Sequence, residues 1–358
     1  MRSIYQQLLF AALLLCGIMP PALAAPPATR LFPADDKRIQ YTGRVDFSNP
    51  RRPRFWASGA YVTARFSGPS CELLINDEAS GPNHNYLHVV VDGRASRLRL
   101  TGKTNTLRVA KGLSAGPHTL LLVKDTEAGI GYLEIVGLKC AGLLPPPPRP
   151  ARKIEFIGNS ITCGMGADAA AVPCKTGQWF DQHNAYDAYG PTVARALSAQ
   201  YHLTSVSGIG LIHSCCEMKI TMPEVFDKLN QRDNLGTWDF ARYQPDVVTV
   251  CLGQNDGVQD STQFCGAYLE FLQTIRARYP RATIVCLTSP MADAQLSAAL
   301  RNYLTGTVAA ARAAGDQKVF KFFFPERYVG GCDSHPTLAE HAKLAQQLTA
   351  YLKTVVPW

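Results

Sequence analysis

Apolar positions change their spacing once along this chain, close to residue 150. Before that point, short runs mix apolar with polar residues and stop at glycines: "AYVTARFSG" (60–68), "YLHVVVDG" (86–93), "RLRLTG" (97–102), "TLRVAKGL" (106–113), "HTLLLVKDTE" (118–127) and "GYLEIVGLKC" (131–140). Short β-branched runs at this spacing predict an all-β sandwich, jelly-roll-like in outline. After it, apolar runs "IEFIG" (154–158), "LTSVSG" (203–208), "DVVTVCLG" (246–253), "ATIVCLTS" (282–289) and "VFKFFF" (319–324) predict buried strands. Amphipathic stretches at 189–201, 262–279, 296–315 and 338–355 predict helices between and after them. Such alternation predicts an α/β domain whose parallel sheet is covered on both faces. "LLPPPPRPARK" (143–153) separates the two patterns, because consecutive prolines favour extended polyproline geometry. The expected division is a β-sandwich over 28–143, a linker over 144–152 and an α/β domain over 153–358.

The first residues belong to neither domain. Arg2, the apolar run "LLFAALLLCGIM" (8–19) and "ALAA" (22–25) have the layout of a secretory signal peptide, with cleavage expected after Ala24. The run is too short to span a bilayer, and no later segment is apolar enough to do so. Leu15 is too large for the site before a lipidated cysteine, which argues against Cys16 as an anchor. The mature protein is therefore expected to be secreted or periplasmic, soluble and monomeric, with no membrane partner. Export permits disulfides, and ten of the eleven cysteines lie beyond the signal peptide. Cys71 and Cys140 can pair within the first half. Cys163 and Cys174 flank a loop that a bridge would stiffen, whereas Cys251 and Cys286 fall in apolar runs and read as buried thiols. "HSCCE" (213–217) lacks a second Cys/His pair at zinc-like spacing, so no metal is expected. The formal charge of +8 is scattered apart from "RRPR" (51–54), which speaks against a nucleic-acid partner.

Chemistry collects where the predicted strands end, the edge at which open α/β sheets carry their sites. The first strand ends at Gly158-Asn159-Ser160, the second at "SGIG" (207–210) and the third at "GQND" (253–256). "GCDSHP" (331–336) precedes the last helix. Taken singly these read as a helix cap, turns and a surface histidine. Together they supply what acyl transfer needs. A serine hydroxyl needs a base, and an imidazole serves near neutral pH. The oxyanion that forms needs fixed donors, which the Ser160 and Gly208 N–H groups and the Asn255 amide can provide.

The set "GNSITCG", "SGIG", "GQND" and "HP" before the final helix resembles the SGNH, or GDSL-type, hydrolases over the whole second half. With "YTGRVDF", "HTLLLVKDTEA" and "IVGLKC" ahead of it, the chain resembles the second family of carbohydrate esterases. The resemblance implies a flavodoxin-like catalytic domain and removal of acetyl groups from plant polysaccharides such as xylan and glucomannan, with no cofactor. It also implies Ser160 as nucleophile, Ser160, Gly208 and Asn255 as oxyanion hole, and His335 as base. Two positions depart from the superfamily. Asn159 stands where Asp is commoner, and Cys332 stands three residues before the histidine where the orienting Asp usually lies. Asp333 is one residue closer, so two arrangements stay open: an Asp333–His335–Ser160 triad, or a Ser160–His335 dyad oriented by a backbone carbonyl.

Other candidates carry weaker signals. Trp238 and Asp256 are candidates for substrate binding, and Trp179 is an alternative sugar-stacking ring, since aromatic faces bury sugar rings well. His213 reads as structural and His341 as an exposed helix residue. Trp56, Tyr61 and Tyr86 read as packing. Two rival functions share the features: a lipid esterase or thioesterase using the same catalytic set, and a non-catalytic carbohydrate-binding protein.

Overall fold

The computed structural model describes residues 28–79 and 81–358, so the expected signal peptide and Cys16 lie outside the described residues. The first half forms one continuous ten-stranded antiparallel sheet, curled on itself around a single core of Phe32, Phe55, Phe66, Leu73, Leu122 and their neighbours. One strand, Tyr61–Ala79, makes the curl possible. Even-numbered residues point inward up to Gly68, and odd-numbered ones from Cys71 onward. The change of phase at Pro69-Ser70 acts as a bulge, which bends a strand and re-aims its side chains. The first part accordingly pairs with Pro117–Lys124 and the second with Thr104–Ala110, while Gly131–Leu144 runs antiparallel along both. Cys71 and Cys140 face each other across that ladder as buried, unbonded thiols, not as the bridge the sequence allowed.

No regular element covers 145–151. The second half is built on five parallel strands, β1 (Arg152–Gly158), β2 (Ala199–Ser205), β3 (Val247–Cys251), β4 (Thr283–Leu287) and β5 (Val319–Phe322). Their order, β2-β1-β3-β4-β5, is that of a flavodoxin-like sheet. After β1 comes the short helix α1 (Ser160–Cys163), then α2 (Tyr189–Ala196), α3 (Ser261–Arg278), α4 (Ala294–Ala313) and α5 (Leu338–Val355). Helices α2 and α5 cover one face around Phe156, Tyr189 and Leu344; α3 and α4 cover the other around Phe264, Tyr268 and Leu300. The second strand begins earlier than its apolar run suggested, and α2 ends earlier. Ser198 adopts φ +50°, which stops the helix, and all seven residues of β2 are buried, polar ones included.

The two halves meet over a largely polar seam, buried at its centre. Arg44, from the β-domain, donates to the Lys228 carbonyl at 2.8 Å and pairs with Glu155 of β1 at 3.1 Å; both side chains have 0% exposure. Arg97 donates to the Asp181 and His183 carbonyls at 2.9 and 2.8 Å. The Tyr61 and Tyr201 rings lie 4.8 Å apart. A buried ion pair loses heavily when one partner is removed, because the other charge is left unpaired. Arg44→Met should therefore destabilise the chain by about 3–5 kcal/mol, measured by urea unfolding. An unchanged midpoint would show that Arg44 is not what holds the seam.

Candidate active site

The strand ends of the sheet meet in a cavity of about 440 Å³ lined by Ser160, Gly208, Asn255 and His335. Ser160 enters it because the chain turns at once after β1. Gly158 is required by close approach, since a Cβ there would lie 2.1 Å from the Thr162 hydroxyl. The helix cap is Asn159, whose Oδ1 accepts from the Ile161 N–H at 3.2 Å; Ser160 is the first helical residue. Asn159, the departure from the commoner Asp, thus acts on the turn. The Ser160 N–H belongs to the first turn of α1, where backbone donors lack helical partners.

His335 lies 175 residues away in sequence, and its Nε2 stands 2.8 Å from Ser160 Oγ. Its Nδ1 stands 2.9 Å from the main-chain carbonyl of Asp333. A carbonyl can only accept, so Nδ1 carries the proton and Nε2 presents its lone pair to the serine. The Asp333 carboxylate is exposed and is not the ring's partner. This geometry arises because Asp333 and Ser334 both adopt left-handed conformations, φ +50° and +57°, turning the carbonyl back onto the ring two residues later. Cys332 fixes the start of the turn. It is bonded to Cys174, and its N–H donates to the Gly166 carbonyl at 2.9 Å. Cys174 therefore pairs with Cys332, while Cys163 remains a buried thiol whose pKa burial pushes up. Burial pushes the His335 pKa below its ordinary 6.5, against a smaller opposing pull from the Asp333 carbonyl.

The donor side is built from loops. Gly208 adopts φ +84°, which favours glycine, and its carbonyl accepts from the Cys215 N–H at 2.8 Å. Asn255 Nδ2 donates one hydrogen to the Ile209 carbonyl at 2.8 Å, leaving the second for the cavity. The Asp256 carboxylate accepts from the Leu211, Ile212 and His213 N–H groups at 2.7–3.0 Å, so it organises the loop after β2 and does not line the cavity. Trp238 is also elsewhere. It is buried and lines a separate cavity at the junction of the two halves, beside Tyr41 and His202; the ring that reaches the Ser160 cavity is Trp179, 46% exposed. His213 is exposed and outside the cavity, whereas His341, expected on the surface, is buried and accepts from the Tyr189 N–H at 3.2 Å. Burial pushes the His341 pKa down to about 3.

Sequence reasoning missed Glu127, which the β-domain inserts into the site. Its Oε2 accepts from the Ser207 N–H at 2.6 Å and its Oε1 lies 3.3 Å from His183 Nε2. Burial opposes its charge, but His183 and the Ser207 N–H outweigh that and hold its pKa below the ordinary carboxylate value. Lys124 Nζ supports the same turn through the Thr126 and Glu127 carbonyls at 2.7 and 3.0 Å. The available signal was "KDTE" (124–127), four consecutive polar residues at the end of an apolar strand run, and all four are at most 2% exposed in the structure. Two further unpredicted features of the cavity are Arg232 and the sulfurs of Cys215 and Cys216, which are bonded to each other.

Comparison with known proteins agrees with this architecture. Residues 41–148 match the model of the carbohydrate esterase 2 N-terminal domain, and residues 156–347 that of the GDSL-like lipase/acylhydrolase family. A solved family two carbohydrate esterase from Clostridium thermocellum, in complex with cellohexaose, is 32% identical with a TM-score of 0.80, over 88% of this chain and 98% of that one. The chain belongs to carbohydrate esterase family 2. This is a family of carboxylic ester hydrolases. The chain is also 34% identical over 337 residues to the cellulase/esterase CelE of Acetivibrio thermocellus, 90% of its own length but only 40% of that protein's. An acetylxylan esterase / glucomannan deacetylase of Cellvibrio japonicus is 27% identical, with 92% of each chain covered. A family two structure from the same organism has a TM-score of 0.83 at 27% identity, over 92% of this chain and 98% of that one.

Within this family 2 member, the ring partner at Asp333 decides which substitutions matter. Asp333→Asn keeps the carbonyl and suits a left-handed backbone. It should lower kcat/KM on p-nitrophenyl acetate by less than about tenfold. Where a carboxylate orients the histidine, the same change costs about ten-thousandfold. A loss of that size would show that the carboxylate, not the carbonyl, orients the ring.

Proposed function

We propose that this family 2 protein is an exported O-acetyl esterase that deacetylates plant polysaccharide through an acyl-enzyme on Ser160. The observation that carries the reading is the 2.8 Å contact between Ser160 Oγ and the Nε2 of a buried, proton-accepting His335. Ser160 Oγ attacks the acetyl carbonyl as Nε2 takes its proton. The oxyanion is held by the Ser160 and Gly208 N–H groups and Asn255 Nδ2, each such donor contributing roughly 3–4 kcal/mol in comparable enzymes. As the tetrahedral intermediate collapses, Nε2 returns the proton to the departing sugar oxygen, which leaves as the alcohol. Water then attacks the acetyl-enzyme by the same route, giving acetate and free serine. The chemistry needs no cofactor.

The named activity of the Cellvibrio japonicus relative supports xylan or glucomannan as substrate, and the cellohexaose complex supports a β-linked glycan in the cleft. The exported location is supported by the signal-like start of the sequence and by two disulfides among the described residues. No described helix is long and apolar enough to cross a membrane. Glu127, Arg232 and Gln254 in the cavity's lining suit a hydroxylated leaving group, beside an apolar wall of Met165, Trp179, Met218 and Met291.

Ser160→Ala should abolish acetate release from acetylated xylan, by at least about a thousandfold, with folding unchanged. Retained activity would exclude Ser160 as nucleophile. An acyl-chain series on p-nitrophenyl esters should peak at acetate; a maximum at eight or more carbons would instead favour the lipase reading. The pH profile follows from His335. The base must be neutral, and burial lowers its pKa, so kcat/KM should rise with pH to a plateau with its midpoint below 6.5. A midpoint above 6.5 would show that a nearby negative charge, not burial, dominates the ring.

A further inference from the structure

The Ser160 cavity has an unusual wall. Its lining contains one aromatic side chain, Trp179, and five sulfur-bearing residues, Met165, Cys215, Cys216, Met218 and Met291. Two of these are the adjacent cysteines of "HSCCE", joined in a disulfide that neither the metal question nor the catalytic chemistry uses. Cys215 is half-buried and Cys216 exposed, so the bond faces the cavity without being sealed in the core.

The bond is also held in place. Cys215 N–H donates to the Gly208 carbonyl at 2.8 Å, and Met218 N–H donates to the Cys215 carbonyl at 3.1 Å. Cys216 and Glu217 are both left-handed, φ +59° and +63°, and Asp256 gathers the three N–H groups just ahead. A Cβ on Gly208 would lie 2.9 Å from Cys215 Sγ and 3.3 Å from the Met218 methyl. Sulfur therefore sits directly against Gly208, the residue whose N–H is proposed above to hold the oxyanion. A substrate ester seated at Ser160 would share the cavity that this sulfur lines.

We propose that the Cys215–Cys216 disulfide, with Met218, is the surface on which the acetylated sugar ring rests. The inference rests on the carbohydrate esterase reading above and adds the contact that selects the leaving group. Sugar rings present C–H faces, and sulfur is soft and polarisable enough to pack against them. The bonded pair has no free side-chain rotation about its own link, so a ring resting on it orders little on binding. The disulfide occupies one side of the cleft in the role usually taken by an aromatic side chain, with Trp179 the one tryptophan, tyrosine or phenylalanine ring among the described lining residues.

The test compares a sugar ester with a sugar-free one. In the full chain, Cys215→Ser with Cys216→Ser should lower kcat/KM on acetylated xylotetraose at least tenfold further than on p-nitrophenyl acetate, mainly through KM. Equal losses on both would reduce the bond to a brace for Gly208, and no loss on the sugar ester would remove it from binding altogether; either overturns the proposal. Finding two free thiols at these positions by non-reducing peptide mapping of the wild-type protein would do the same. If the double variant does not fold, Cys216→Ala alone breaks the link at the exposed residue and should show the same selective loss. Failure of the underlying reading has a separate signature: the wild-type protein itself would hydrolyse p-nitrophenyl acetate yet release no acetate from acetylated xylotetraose.

Discussion

The hydrogen bond from His335 Nδ1 to its own neighbour's carbonyl is the constraint on which the site depends. It fixes the tautomer, and so leaves Nε2 free to face Ser160 at 2.8 Å. A carbonyl orients as well as a carboxylate but carries no full charge. It therefore stabilises the imidazolium less, and burial lowers the ring's pKa where a buried carboxylate neighbour would raise it. Placing the carbonyl requires two consecutive non-glycine residues in the left-handed region, each costing about 1–2 kcal/mol. Such a turn persists only where its surroundings over-determine it. Here the Cys174–Cys332 bond and the backbone contact between Gly166 and Cys332 do so.

A second constraint is that the α/β domain does not complete the site by itself. The Ser207 N–H next to Gly208 is held by Glu127, which belongs to the β-domain. Glu127 in turn reaches the site because Arg44, Arg97 and Gly59 lock the two halves together at β1, β2 and the 181–183 segment. A Cβ at Gly59 would stand 2.6 Å from Leu203, so the approach itself depends on glycine. The β-domain is thus a structural part of the Ser160 cavity, whatever it contributes to glycan contact.

Much of this was legible in the sequence. The change in apolar spacing near residue 150 separated an antiparallel half from a parallel one, and three strand-end motifs with the "HP" before the last helix marked Ser160, Gly208, Asn255 and His335. What was not legible depends on contacts between distant segments. The curl of Tyr61–Ala79 needs a bulge that shifts the phase at Pro69-Ser70. The start of β2 was hidden because a fully buried strand keeps polar residues such as Gln200 and His202 when the seam satisfies them. Trp238 and Trp179 both stand in loops with identical local signals, and only the packing of the two halves sends one to the core and the other to the cleft. Spacing alone leaves open whether the Asp333 side chain or its carbonyl faces the ring, because backbone handedness decides it.

The cysteines sort by the same physics. Cys71, Cys140, Cys251 and Cys286 lie in strands, where ladder hydrogen bonds and apolar neighbours already fix the chain, and they stay as thiols. Both disulfides among the described residues lie in loops at the edge of the sheet where the Ser160 cavity opens. Cys174 sits in the long stretch between α1 and α2 that has no regular element, and its bond ties that stretch to the His335 turn. Cys215 and Cys216 close the loop that carries Gly208. Loops have few buried apolar contacts to oppose local opening, so covalent links act most where regular structure is absent. A site assembled from four loops, two of them strained, needs that rigidity at the loops themselves, because the sheet beneath can position only where each loop begins.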